Sequence, residues 1–175
     1  MTITHISTTG SRRELDPASV REAFAHYPSG VVALIAVLGT ETVGLVASSF
    51  TVGVSADPPL VSVAVQRTST SWPRLKTATS LGVSVFSAGQ GGLVRQVADS
   101  GRADRFEGVG LFDDGSAARF IDGSAGWFEC IVHDEVDAGD HSVVLLEVIS
   151  VRVDHHRQPL IFHGSAFREM TSSGA

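Results

Sequence analysis

Two β-forming runs, residues 31–38 and 43–50, are separated only by Gly39-Thr40-Glu41-Thr42. A link this short with a leading glycine reads as a hairpin, because parallel strands need a crossover of a dozen residues or more. The pattern recurs along the chain. Residues 60–65 and 81–86 read as further strands. Residues 127–136 and 142–153 read as two long strands joined by Asp137-Ala138-Gly139-Asp140, and residues 160–163 as a short last one. Helical signals are few. Asp16-Pro17 starts a helix in which Val20, Ala23, Phe24 and Tyr27 follow helical spacing, so one face is expected to be buried. Residues 72–78 and 93–98 read as two shorter helices. About six strands joined by short turns favour an antiparallel barrel over a doubly wound sheet.

Composition narrows the class. A chain of 175 residues, 43% hydrophobic and 18% charged, can bury the core of one globular domain. That domain is expected over residues 16–170, with tails at 1–15 and 171–175. The net charge of -6, with 13 scattered Lys and Arg, argues against nucleic acid, whose phosphates demand a basic surface. Residue 130 is the single cysteine, so no internal disulfide forms and a reducing cytoplasm fits. Its apolar neighbours Phe128, Ile131 and Val132 predict a buried strand position. No apolar run reaches membrane length, and no membrane is expected as a partner.

The run Gly44-Leu45-Val46-Ala47-Ser48-Ser49-Phe50-Thr51, followed by Val54-Ser55-Ala56-Asp57-Pro58-Pro59-Leu60-Val61, carries the chemistry. An apolar strand passes into small hydroxyl residues, whose hydroxyls and backbone amides suit an anion laid along a sheet. Competing phosphate motifs fail: Gly108-Val109-Gly110 lacks the third glycine of a dinucleotide fingerprint, and no Walker loop exists. No serine-hydrolase elbow and no metal-ligand spacing is found, so no metal is expected. Arg105-Phe106 reads either as a surface arginine beside a core phenylalanine or as a charge-assisted phosphate contact. Arg67, before Thr68-Ser69-Thr70-Ser71, is a second candidate. Gly139-Asp140-His141 reads either as a plain tight turn or as an imidazole set at a strand mouth.

In this order the elements resemble the flavin reductase family, the reductase components of two-component flavin-dependent monooxygenases. The resemblance spans about residues 20–170. It rests on Tyr27-Pro28-Ser29-Gly30-Val31, the run ending in Asp57-Pro58-Pro59, Arg67 to Trp72, Arg105-Phe106, Trp127-Phe128-Glu129-Cys130 and Gly139-Asp140-His141. It implies a mainly β fold: a six-stranded antiparallel split β-barrel of Greek-key type with a few flanking helices. It implies a homodimer that binds FMN, or FAD, and takes hydride from NADH or NADPH. Val46, Ala47, Ser48 and Ser49 would touch the ring and ribityl chain. Ser55, Arg67, Ser69 and Arg105 would serve the phosphate end, with Phe106 beside it. Ser29, His141 and Phe167 would lie near the ring face where nicotinamide stacks. Many relatives carry Thr, Asn and Ser where this chain has Val46, Ser48 and Gly53, so those positions are expected to tune flavin preference. The rival readings are a flavin- or haem-binding module without activity and an enzyme resembling pyridoxamine-phosphate oxidase.

Overall fold

The structure, a computed structural model, describes residues 15–170. The tails expected at 1–15 and 171–175 fall, except for Leu15, outside the described residues. The elements are α1 (Pro17–Ala25), β1 (Ser29–Gly30), β2 (Val32–Leu38), β3 (Glu41–Ala47), β4 (Thr51–Ala56), β5 (Pro59–Gln66), α2 (Trp72–Leu75) and β6 (Leu81–Val85). There follow α3 (Gly91–Ala98), β7 (Leu111–Phe112), β8 (Phe120–Ile121), β9 (Gly126–Ala138), β10 (His141–Val153), β11 (Ile161–His163) and β12 (Ala166–Arg168).

The main sheet runs in the order β3-β2-β6-β9-β10-β5-β4, with every pair antiparallel. It has seven strands where the sequence suggests six. The additional strand is β4, which the glycine and hydroxyl content of its sequence obscures. Between Thr51↔Ser62 and Ser55↔Leu60 the β4 side carries extra residues, and Gly53 sits in this bulge at φ +74°, a backbone region glycine enters without cost. Gly53 therefore shapes an edge strand and lines neither of the two openings described below.

Val32, Leu34 and Ala36 of β2 share one buried cluster with Val61, Val63 and Val65 of β5. These strands stand near opposite ends of the sheet order, so the sheet must curl on itself for them to meet. Trp72 and Leu75 of α2 plug this core. The opposite face of β2 presents Ala33 and Ile35 to a second core with Phe86, Val94 of α3, Ile121 and Leu160. Burial on both faces explains why residues 31–38 read as an unbroken apolar run rather than an alternating one. Cys130 is fully buried on β9, as its neighbours suggest.

The structure departs from expectation at α1. Asp16 caps it, accepting from the Ser19 amide at 3.0 Å, yet none of its residues is buried. Phe24 is 73% and Tyr27 78% exposed. The apolar stripe turns away from both cores and flanks an open groove. At its end the helix is tied by the Gly164 amide, which donates to the Ala25 carbonyl at 2.7 Å.

β3 stops at Ala47, short of the expected Phe50, and residues 48–50 leave the sheet to cross toward β4. The Ser49 hydroxyl bridges the gap: it donates to the Ala64 carbonyl at 2.9 Å and accepts from the Ala64 amide at 3.1 Å. One side chain thus replaces a ladder step between β3 and β5, the two flanks of the curled sheet.

Candidate functional site

The segment that leaves β3 forms a wall between two openings. On one side lies a polar cavity of about 540 Å³, lined by Val46 and Ala47, the 68–71 loop, Arg105 and His141. On the other lies a mainly apolar groove of about 690 Å³, lined by Phe24, Tyr27, Ser29, Phe50 and Phe162. Ser48 and Ser49 belong to both.

The polar cavity is built to hold an anion. After β5 the loop is pinned by the Ser69 amide donating to the Gln66 carbonyl at 2.9 Å. The Ser69 hydroxyl accepts from the Trp72 amide at 3.1 Å. Among the described residues the amides of Thr68, Thr70 and Ser71 donate to no protein acceptor. The same is true of the amides of Ser48, Ser49 and Phe50 on the wall. Unpaired backbone donors beside free hydroxyls are the natural partners of a phosphate or of a carbonyl gaining negative charge.

Among the described residues Arg105 is the one Lys or Arg that lines this cavity. Its Nη2 donates to the Gly44 carbonyl at 2.7 Å and to the Ser71 hydroxyl at 3.2 Å, and its Nη1 to the Val97 carbonyl at 3.3 Å. Burial pulls its pKa below the usual arginine value while leaving it charged. His141 opens β10 opposite Gln66, directly after a turn in which Gly139 adopts φ +65°. Its Nδ1 lies 2.8 Å from the Asp140 carboxylate, which leaves Nε2 for a ligand. That hydrogen bond holds the Asp140 carboxyl below the ordinary carboxylate range.

Val46, Ala47, Ser48, Ser49, Ser69, Arg105 and His141 therefore meet at one cavity, as the sequence suggests. Ser29 lines the apolar groove instead, across the wall from His141. Four expected contacts line neither opening. Arg67 sits in the turn just past β5, between Gln66 and Thr68, which line the cavity, and its side chain is held toward the 137–139 turn. Its Nη1 reaches the Gly139 carbonyl at 3.4 Å and its Nη2 lies 3.8 Å from Asp137. Ser55 follows the β4 bulge and pairs with Leu60. Phe106 seats on β3 over Gly44, where a Cβ would come within 2.7 Å of its ring, so it packs the second core. Phe167 packs on Phe162, with ring centroids 5.7 Å apart, beneath the Arg95 guanidinium. Sequence reasoning assigned no role to Ser71, Thr68 or Thr70. Their signal was present as four consecutive hydroxyl residues closing a strand.

Fold and site together define a curled antiparallel sheet whose edge carries a polar, anion-accepting cavity and an apolar groove on the two sides of one wall. The family model described as "Flavin reductase like domain" matches residues 24–171. A flavin reductase of Pseudomonas putida is 33% identical over 168 residues, covering 94% of this chain and 96% of that protein. The structure of a Streptomyces globisporus NADH:FAD oxidoreductase, in complex with NAD and FAD fragments, superposes with a TM-score of 0.84. It is 33% identical, over 94% of this chain and all of that one. The flavin reductase component of a bacterial two-component tryptophan halogenase superposes with a TM-score of 0.80 at 31% identity, over 89% of this chain and 98% of that one. The chain belongs to the flavin reductase family.

Proposed function

We propose that this protein is an NAD(P)H-dependent flavin reductase that reduces FMN or FAD and hands the reduced flavin to a monooxygenase partner. The observation that carries this reading is the wall at Ser48 and Ser49, shared by an anion cradle and an apolar groove. A flavin is a flat ring on a polar chain that ends in phosphate: the polar cavity suits the phosphate end, the wall suits the chain and ring, and the groove leaves one side of the wall open to a second ligand. When bound, it supplies the chemistry by accepting hydride at its ring from the nicotinamide.

The chain's own task is placement. The 68–71 loop, backed by Arg105, holds the phosphate end, and Val46 to Ser49 run beneath the ring and ribityl chain. The unpaired amides of residues 48–50 face the ring edge, where charge develops. Ser29, Phe24 of α1 and Tyr27 just beyond it border the groove through which nicotinamide approaches. His141, fixed at Nδ1, offers Nε2 to orient it. No covalent step and no nucleophile is needed. Among the described residues Arg21 is the one cation lining the groove and forms no arginine cluster for a 2′-phosphate, which favours NADH over NADPH. The exposed Phe24, Tyr27 and Val52, with the unpaired edge of β4, support a homodimer in which a second copy covers them. Sedimentation of the full chain as a dimer checks that assembly. The lone buried cysteine accords with a cytoplasmic setting, where thiols are kept reduced.

The test is a two-by-two assay of NADH and NADPH against FMN and FAD. Nicotinamide oxidation that depends on added flavin and is faster with NADH is the expected result. Nicotinamide that stays reduced with either flavin overturns the reading in favour of a binding module.

A further inference from the structure

We propose that Ser71 is the hydroxyl that grips the terminal phosphate of the flavin, and that Arg105 acts on the phosphate through Ser71 rather than as its direct ligand. The inference rests on the flavin reductase reading above and refines it. Ser71 is the most buried of the four hydroxyl residues in the loop, 9% exposed, yet it lines the polar cavity. Its oxygen accepts from Arg105 Nη2 at 3.2 Å, and among the described residues nothing accepts its proton. A buried donor without an acceptor is costly unless a ligand supplies one. Here the cavity is where that acceptor arrives.

Arg105 is tied down elsewhere. Both protons of Nη2 are used, on the Gly44 carbonyl of β3 and on Ser71, and one of Nη1 is used on Val97 at the end of α3. To turn its fork onto a phosphate it would have to release the 2.7 Å bond to Gly44. Its guanidinium also lies 5.2 Å from the Phe106 ring, itself seated over Gly44. The arginine is therefore a positioning residue. It fixes the Ser71 oxygen and, by donating to it, polarises the O–H that points at the anion. Ser69 has the same arrangement in a weaker form, since its oxygen accepts from a neutral amide.

FMN and riboflavin differ only in the phosphate, so their affinity ratio reads the phosphate contacts together, and its change on substituting Ser71 reads this one. Dissociation constants for both flavins are measured by quenching of flavin fluorescence on the wild type, Ser71→Ala, Arg105→Lys and the double variant. Losing a hydrogen bond to a charged group weakens FMN binding by about tenfold or more. Riboflavin binding is expected to stay unchanged in Ser71→Ala. Arg105→Lys is expected to lose a similar factor, and the double variant no more than either single one. Ser71→Thr, which keeps the hydroxyl, is expected to retain the wild-type ratio, and it carries the test if Arg105→Lys fails to fold. A Ser71→Ala protein with the wild-type FMN-to-riboflavin ratio overturns the proposal while the reductase reading stands. Additive losses in the double variant overturn it too, because they make Arg105 a direct ligand. Wild type that binds neither flavin removes the reductase reading itself.

Discussion

Cys130 shows how far burial governs a single side chain. It is fully enclosed on β9, and burial, with the Glu129 carboxylate adding to it, pushes its thiol up to about 12. The thiolate is the reactive form, so at neutral pH the thiol is inert. The expected outcome is that a disulfide reagent labels Cys130 only after denaturant unfolds the protein; rapid labelling of the native state would contradict the burial. His141 is the opposite case, a side chain set at a cavity by its neighbour. Its partner Asp140 has a carboxyl pKa lowered by their hydrogen bond, so the pairing is present above the ordinary carboxylate range and is lost as pH falls through the lowered value. The pair is thus intact at neutral pH. His141→Ala is expected to raise the KM for the nicotinamide substrate more than that for flavin, in steady-state assays varying each in turn. The reverse split would assign His141 to the flavin.

At the scale of elements, the end of β3 decides most of the site. Ser49 closes the seam to β5 with two hydrogen bonds from one hydroxyl. Ser49→Ala leaves the Ala64 amide and carbonyl to water at an exposed position, a cost of about 1 kcal/mol. In a domain of this size that lowers Tm by about 2–4 °C, measurable by thermal unfolding followed by circular dichroism. An unchanged Tm would show that the seam is held by the rest of the sheet. The hairpins at residues 31–50 and 127–153 were legible because glycine turns and apolar runs are local signals. β4 was not, because its strand character comes from pairing with β5 around a bulge. The stripe on α1 was legible as a stripe, but nothing local says whether such a face meets a core or a groove. The same division runs through the site. Ser48, Ser69, Arg105 and His141 come together at one cavity, which residue type and segment already suggest. Arg67, Ser55, Phe106 and Phe167 lie away from both openings, because a turn, a bulge and packing across the second core set their direction and none of these is a local signal.

Across the whole molecule, one curled sheet turns its inside to a packed core and uses the place where its flanks meet as a binding wall. In the proposed function, an acidic chain with a net charge of -6 gains a phosphate site there by concentrating unpaired amides, hydroxyls and one anchored guanidinium. That proposal puts nicotinamide in the groove across the same wall, because hydride transfer requires the reacting atoms to lie about 3–3.5 Å apart. Ser48 is exposed in the 48–50 segment outside the strands, so a large side chain there fills both openings without entering either core. The most direct measurement is therefore flavin binding and flavin-dependent NADH oxidation by Ser48→Trp, compared with wild type at matched thermal stability. The account predicts that the folded variant loses both. A folded Ser48→Trp protein that binds and reduces FMN with wild-type constants would place the flavin elsewhere.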